Sequence, residues 1–302
     1  MNRPLVSVIM PSYEGAAFIG ETIESVLAQT YEPIELIVVD DGSIDGTPEI
    51  VAGYAERFPS RVRLERNEDR RGPCRRRNDA IDLARGALIA WLDQDDLWLP
   101  EKTQRQVDVL LARPDVGLVY SGYEAFDSES GETLPWRDRN SEAEGDVLVP
   151  LFVRGCFIAA PTALFRKTVL TQRNLRLRET DFSFGDDYYL WLALSLNWQV
   201  VRLDEVLARY RRHAENESAR LGATNFNLSR IALLQEFLDA FPEAVDRLGP
   251  WRRRGFAEHH LSAANFERGR GRWLSAAVHD LRALALSPGY SLRALAAGNR
   301  QR

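Results

Sequence analysis

Short apolar runs alternate with helically periodic segments through the first hundred residues, with only brief polar links between them. Leu5–Met10, Ile34–Val39 and Ala87–Leu92 have strand length and carry apolar residues on both faces, the pattern of strands buried in a parallel sheet. Val62–Glu65 is a weaker fourth run. Between them, Phe18–Gln29 places Phe18, Ile19, Ile23, Val26 and Leu27 on one helical face, a helix with Ile50, Val51, Tyr54 and Ala55 starts near Thr47, and Arg75–Arg85 is helical. Such alternation restricts the chain to an α/β architecture with parallel strands and right-handed crossovers.

The pattern changes after residue 96. Leu99–Leu111 is predicted helical, Val116–Ser121 a strand, and the polar segment Ser128–Glu144 a hairpin or mobile loop. Leu148–Arg154, Thr162–Gln172 and Asp187–Asn197 read as helices and Val200–Leu203 as a strand. Beyond about Glu215 the chain is predicted all-helical, with Phe256–Phe266 and Arg272–Leu286 forming a hairpin broken at Arg268–Gly271. The expected division is a catalytic α/β domain over residues 1–218 and a helical extension over residues 219–302.

Composition bounds the setting. The first apolar run is too short for a signal peptide or a membrane span. Cys74 and Cys156 give neither metal spacing nor a disulfide framework, which fits a reducing cytoplasm. Net charge is −5, but residues 247–302 hold eleven arginines against three acids. The tail is therefore about +8 and the rest about −13. Solvated helix faces are the ordinary explanation. A surface that meets anionic lipid or a phosphorylated acceptor is the sharper one.

Polar clusters follow the strands. Asp93-Gln94-Asp95-Asp96 comes directly after Ala87–Leu92, where open α/β sheets bind ligands. An Asp-x-Asp there, facing an anionic diphosphate, calls for a divalent cation, and hard oxygen ligands suit Mg²⁺ or Mn²⁺. Asp40-Asp41-Gly42-Ser43 ends the second strand. Its carboxylates can accept from a base imide N–H and from ribose hydroxyls, although the same residues are ordinary turn formers. Arg70, Arg71, Arg75, Arg76 and Arg77 crowd around Gly72-Pro73. They form either a solvated basic loop or a diphosphate clamp, with Arg77 the favoured phosphate ligand. Asp186-Asp187 precedes an apolar helix, as caps or as chemistry. His213 follows a strand and a short link, and can return to the acidic cluster as a metal ligand.

In this order the pieces resemble the family 2 inverting glycosyltransferases of the GT-A fold. The residues that carry the resemblance are Val6–Tyr13, Ser25–Tyr31, Glu35–Ser43, Arg77-Asn78, Ala84–Gly86, Leu92–Asp96, Asp186–Leu192 and Tyr210–His213. The resemblance implies a Rossmann-like, mostly parallel sheet flanked by helices, a nucleotide-sugar donor and Mn²⁺ or Mg²⁺. It assigns Pro11, Tyr13 and Asp41, with Asp40 beside it, to the nucleoside, Asp93 to the ribose side, and Asp95 (of the family's DXD motif) and His213 to the metal. Asp187 becomes the general base. Three positions depart from the family pattern: Glu14 stands where Asn is common, Asp186 where Glu is usual, and Ala193 where an Arg often follows.

The expected activity is metal-dependent, inverting transfer of a hexose from a UDP- or dTDP-sugar to a saccharide or lipid-linked saccharide, in bacterial surface polysaccharide or glycolipid assembly. The expected location is cytoplasmic, with peripheral membrane contact through the basic tail and no nucleic-acid partner. A nucleotidyltransferase is the alternative, since it too uses strand-end carboxylates and a metal. A catalytically inactive carbohydrate-binding relative is a third possibility.

Overall fold

The computed structural model describes residues 3–135, 143–177, 185–214, 216 and 222–298. Eight strands form one sheet in the order β3-β2-β1-β4-β7-β6-β8-β5. They are β1 (Val6–Ser12), β2 (Ile34–Asp41), β3 (Val62–Asn67), β4 (Leu88–Trp91), β5 (Leu97–Trp98), β6 (Val116–Asp127), β7 (Leu164–Arg166) and β8 (Gln199–Arg212). The helices are α1 (Ile19–Leu27), α2 (Thr47–Arg57), α3 (Pro73–Leu83), α4 (Lys102–Ala112), α5 (Leu148–Arg154), α6 (Thr168–Gln172) and α7 (Asp186–Leu194). After them come α8 (Gly222–Ala240), α9 (Glu243–Leu248), α10 (Trp251–Gly269), α11 (Trp273–Leu286) and α12 (Pro288–Gly298). The expected α/β class with a helical C-terminal part is therefore what the chain forms.

The β3-β2-β1-β4 half is parallel throughout. Every residue of β1, β2 and β4 is buried, which is why these strands read as unbroken apolar runs. Parallel pairing puts their carboxyl ends together, so Ser12 lies beside Asp40, and Leu92 N–H donates to the Ile9 carbonyl at the same edge.

The other half corrects one expectation. Thr162–Gln172 is not one helix. Leu164–Arg166 is inserted antiparallel between β4 and β6, and only Thr168–Gln172 is helical. Leu164 and Phe165 are fully buried there, and three residues are too few to display a period that separates strand from helix. Strand β8 is also far longer than Val200–Leu203, running on to Arg212 beside β6. Its half-exposed polar residues hide a strand whose later part reaches the acidic segment after β4.

The chain folds into two compact units. One comprises residues 1–145, 158–190 and 198–213; the other comprises residues 146–157, 191–197 and 214–302. The first has its core on the sheet, around Val8, Met10, Ile23, Val38, Ala90 and Leu92. In the second, α10 and α11 form the expected helical hairpin, with Ala257, Leu261 and Ala283 at its centre.

Candidate active site

The acidic segment after β4 is fixed from three directions. Gln94 uses its whole amide on the β1 loop: Oε1 accepts from Tyr13 N–H at 2.9 Å and Nε2 donates to the Tyr13 carbonyl at 2.9 Å. Its own carbonyl accepts from Thr22 Oγ1 at 2.9 Å. Gly15 lies so near that a Cβ there would sit 2.2 Å from Gln94 Oε1, so the clamp requires glycine. Arg211, near the end of β8, supplies the third tie. Its N–H donates to Asp96 Oδ1 (3.0 Å), its Nε to the Asp95 carbonyl (2.7 Å) and its Nη2 to Glu21 Oε2 (2.6 Å). Its guanidinium also lies over the Phe18 and Phe126 rings.

This stitching carries His213, two residues further on, to the acidic loop. His213 Nε2 lies 2.9 Å from Asp95 Oδ2, and its ring packs against Phe18 with centroids 4.6 Å apart. The two residues are 118 positions apart in sequence. Asp96 is buried. Desolvation pushes its carboxyl well above the ordinary range, and the neighbouring Asp95 and Asp93 charges push the same way.

Arg77 brings a cation to Asp93. It is nearly buried on α3, its Nη2 donates to Asp93 Oδ1 at 2.6 Å, and its guanidinium lies 5.4 Å from the Trp91 ring centroid. The following residue has a separate task. Asn78 Nδ2 donates to the Leu177 carbonyl (2.8 Å) and its Oδ1 accepts from Leu177 N–H (2.9 Å), holding the chain that enters residues 178–184.

The two acids that end β2 are engaged with their own loops. Asp40 accepts from Ser43 Oγ (2.5 Å), Ser43 N–H (3.0 Å) and Gly42 N–H (3.2 Å), and from Ser12 Oγ at 3.3 Å. Asp41 accepts from Arg71 N–H and Gly72 N–H, both at 2.8 Å, and from Arg76 Nε at 2.6 Å. Arg76 is itself buried, with Asp79 and Asp69 as further partners. Of the crowded arginines, Arg76 thus anchors the loop and Arg70 covers the Tyr13 ring, 3.9 Å from its centroid. Pro11 is buried within β1, paired with Val39.

Glu14 explains its own departure. Its φ is +51°, a conformation that Asn adopts more readily than most residues. Here Glu14 Oε1 accepts from Ile44 N–H (2.9 Å) and its N–H donates to Ser43 Oγ (2.9 Å), so the longer side chain braces the turn. Ala193 is buried.

Asp187 is the second residue of α7. Its Oδ1 accepts from Tyr188 N–H at 2.6 Å, one of the donors that a helix start leaves without an intrahelical partner. Gly185, at φ +92°, supplies the turn into the helix. Asp186 opens α7; its side chain lies outside the described residues. Cys74 and Cys156 are free thiols.

Among the described residues no group of three or more His, Cys, Asp or Glu side chains could hold a metal ion by itself. The Asp95–His213 pair nonetheless fits an ion that takes its other ligands from substrate. Octahedral ions with bonds near 2.1 Å hold adjacent ligand atoms about 3 Å apart, and Mg²⁺ is commonly bound by one or two protein groups plus substrate phosphates.

Sequence reasoning singled out Asp93, Asp95, Arg77 and His213, which the fold assembles into two adjoining contacts. It missed Gln94 and Arg211, which fix that loop. No periodicity marks either residue. The only signal was position, inside the tetrad and two residues before His213.

The comparisons with known proteins agree on the family. The model of "Glycosyl transferase family 2" matches residues 7–173. Among relatives, an uncharacterized glycosyltransferase of Rickettsia prowazekii is 34% identical over 79% of this chain and 71% of its own length. The UDP-Glc:alpha-D-GlcNAc-diphosphoundecaprenol beta-1,3-glucosyltransferase WfgD of Escherichia coli is 32% identical over 70% of this chain and 78% of its own. The putative teichuronic acid biosynthesis glycosyltransferase TuaG of Bacillus subtilis is 30% identical over 69% and 79%. Among solved structures, S. aureus TarS 1-349 in complex with UDP superposes with a TM-score of 0.60 at 17% identity, covering 94% of this chain and 90% of that one. The Pyrobaculum calidifontis mannosyltransferase PcManGT, with GDP-Man and Mn²⁺, gives 0.60 at 21% identity, covering 100% and 82%. The chain belongs to glycosyltransferase family 2 and has the GT-A fold.

Proposed function

We propose that the chain is a metal-dependent inverting glycosyltransferase that moves a hexose from a UDP- or dTDP-sugar to a hydroxyl of a lipid-linked saccharide in surface polysaccharide or glycolipid assembly. The observation that carries this reading is the Asp95–His213 pair, with Nε2 and Oδ2 2.9 Å apart, beside the Arg77–Asp93 pair at 2.6 Å. Relatives and neighbours support the substrate classes: WfgD is named for a UDP-glucose donor and a diphosphoundecaprenol-linked acceptor, and TarS has been solved with UDP-GlcNAc.

The nucleoside lies against the carboxyl ends of β1 and β2, with Pro11 and Tyr13 on one side and Asp40-Asp41 on the other. Asp93 takes a ribose hydroxyl, and Arg77 reaches the diphosphate when Asp93 releases it. A divalent ion, Mn²⁺ or Mg²⁺, held by Asp95 and His213 would neutralise charge on the departing diphosphate. The Asp187 carboxylate removes the acceptor hydroxyl proton as that oxygen attacks the anomeric carbon, and the nucleoside diphosphate leaves from the opposite face. Asp187 accepts a helix N–H, which holds the carboxylate in place, and it acts as base through that position.

Residues 1–218 carry donor binding and catalysis. Residues 219–302 serve the acceptor side and bring the enzyme, working in the cytoplasm, to the inner membrane face, with Trp251 and Trp273 as interfacial anchors; no nucleic acid takes part. Among the described residues no helix is long and apolar enough to cross a membrane. Thermal-shift titration with UDP-, dTDP- and GDP-sugars, with and without Mn²⁺, tests the reading. Stabilisation by a UDP- or dTDP-sugar that grows with Mn²⁺ is expected. Equal shifts with and without metal, or none with any nucleotide sugar, overturn it.

A further inference from the structure

The second unit contains a groove of about 630 Å³ among α8, α9, α10 and α11. Its walls are mainly apolar, with Leu228 and Ile231 from α8 and Phe256 from α10 among them. Three guanidiniums also line it: Arg252 and Arg253 from α10 and Arg282 from α11. Among the described residues none of the three has a carboxylate within ion-pair distance. The acid in the groove, Asp239, accepts instead from Gln235 Nε2 at 2.9 Å. The groove's lining thus sets three arginines against one carboxylate, beside apolar walls. Elsewhere in this unit Arg247 is paired with Asp146 and Arg268 with Asp280.

A second observation bears on what enters. Leu274, Val278 and Leu281 of α11 are 87%, 47% and 66% exposed. They follow i, i+4, i+7 spacing and so share one helix face. Trp273 on the same helix is 59% exposed. Contiguous apolar surface of this kind marks a contact with lipid or protein, and Arg282 directly follows its last member.

We propose that this groove binds the phosphate-bearing head and first apolar units of a membrane-anchored prenyl diphosphate, with the exposed α11 face resting in the bilayer surface. The arginines match phosphate oxygens through paired N–H groups, and the apolar walls take the chain next to the head. The site deepens the reading of a lipid-linked acceptor given above and rests on it for the identity of the lipid.

Calorimetry of the full chain with farnesyl diphosphate, pyrophosphate and farnesol separates head from tail. Farnesyl diphosphate is expected to bind at least about tenfold more tightly than either part. Arg253→Gln and Arg282→Gln, both at the surface and outside the catalytic machinery, should each weaken it about tenfold, as loss of a charge-assisted hydrogen bond does. In flotation, phosphatidylcholine vesicles carrying undecaprenyl phosphate should recruit the chain more strongly than vesicles of equal charge carrying phosphatidylglycerol, and the double variant should erase that preference. Farnesyl diphosphate binding that is absent, or unchanged in both variants, overturns the site. So does equal recruitment by the two vesicle types, or a concentration-dependent dimer abolished by the same substitutions. UDP-sugar binding measured in parallel separates the two claims. If UDP-sugars bind and farnesyl diphosphate does not, the groove assignment falls alone. If farnesyl diphosphate binds through the arginines but no nucleotide sugar binds, the transferase reading falls and the groove stands.

Discussion

The two units differ in how many of their arginines find a carboxylate. In the sheet unit charged groups are turned on one another: Arg76 on Asp41, Arg77 on Asp93 and Arg211 on Glu21 at the carboxyl ends of the strands, and Arg85 on Glu35 at the start of β2. Lys102 is an exception. It is buried over Trp98 with Gln106 as its partner, and desolvation holds its pKa well below the usual range. The helical unit instead presents Arg252, Arg253 and Arg282 without carboxylate partners among the described residues. It also carries Leu274, Leu281 and Leu292 at the surface. Mutual pairing pre-organises groups for small, demanding chemistry. Unpaired cations and exposed apolar faces are what a surface built for an external partner retains.

The sharpest way to break this contrast is at the base. Asp187→Asn should reduce turnover by roughly 10²–10⁴-fold, the usual contribution of general base catalysis. Nucleotide affinity should hardly change, because the base meets the acceptor and not the donor. Single-turnover kinetics alongside UDP calorimetry check both halves. Retained turnover would remove α7 from the chemistry and leave the sheet-end acids as donor-binding groups only.

Asp95→Ala addresses the donor side. The expected result is a folded protein whose Mn²⁺-enhanced binding of UDP falls by at least about 10–100-fold, the range seen when a metal site loses even an outer supporting group. Calorimetry with and without Mn²⁺ reads it. Undiminished enhancement would mean that the Asp95–His213 contact at 2.9 Å is merely structural.

How much of this was legible beforehand varied with how far each feature is local. Strands β1, β2 and β4 were readable because burial on both faces leaves mostly apolar runs, as in Ala87–Leu92, and β3, half-exposed, left only a weak one. Strand β7 was not, since Leu164–Arg166 takes its conformation from β4 and β6 rather than from its own three residues. The carboxylates were visible as residue types, but their partners were not. Nothing in the sequence says that Asp41 closes on the Arg71-Gly72 backbone, or that Gln94 spends both amide ends on Tyr13. In the helical unit the hairpin of α10 and α11 and an arginine excess were legible. Which arginines lack carboxylate partners depends on how α8, α10 and α11 pack, which periodicity does not encode.

Acid should separate the units. Desolvation lowers His259 to about 4, helped by Arg230, and His260 to about 4, helped by His279 and Arg282. His279, whose Nδ1 lies 2.9 Å from His260 Nδ1, is lowered too, with Arg282 adding and Glu267 and Asp280 opposing. That contact needs one nitrogen to donate and the other to accept, so it tolerates no second proton there. These histidines stay neutral in the native protein, whereas the unfolded chain takes up protons near pH 6.5. Their stabilising effect is therefore complete above about pH 6.5 and is lost as pH falls toward 4, by about 3 kcal/mol for buried His259 alone. Native-state hydrogen exchange at pH 7 and pH 5 should show protection falling first in α10 and α11. If the sheet amides open first, the helical unit is not the acid-sensitive one.

The smallest expected effect lies under the sheet. Glu35 is buried at β2, where Oε1 accepts from Ser7 Oγ (2.6 Å) and Arg85 N–H (2.8 Å) and Oε2 from Arg85 Nε (2.7 Å). Burial alone would raise its pKa, but the bonds from Ser7 and Arg85 together outweigh it and the net shift is downward. A depressed carboxylate stabilises the fold above its unfolded value, near 4.3, and loses that contribution as pH falls through the lower folded value. Ser7 Oγ also accepts from Gly86 N–H (2.8 Å), and a Cβ on Gly86 would sit 2.5 Å from the Leu5 carbonyl, so the network leaves little room to rearrange. Glu35→Gln keeps an acceptor for Ser7 Oγ and Arg85 N–H but turns an NH₂ toward the Arg85 Nε donor. It should cost about 1–2 kcal/mol at pH 7 and flatten the stability profile below pH 4.5. Urea unfolding of both proteins at pH 7 and pH 3.5 measures the difference, which should be larger at the higher pH. A deficit that stayed constant with pH would make Glu35 a packing residue, and the sheet unit's paired charges would then contribute shape rather than electrostatic stability at this position.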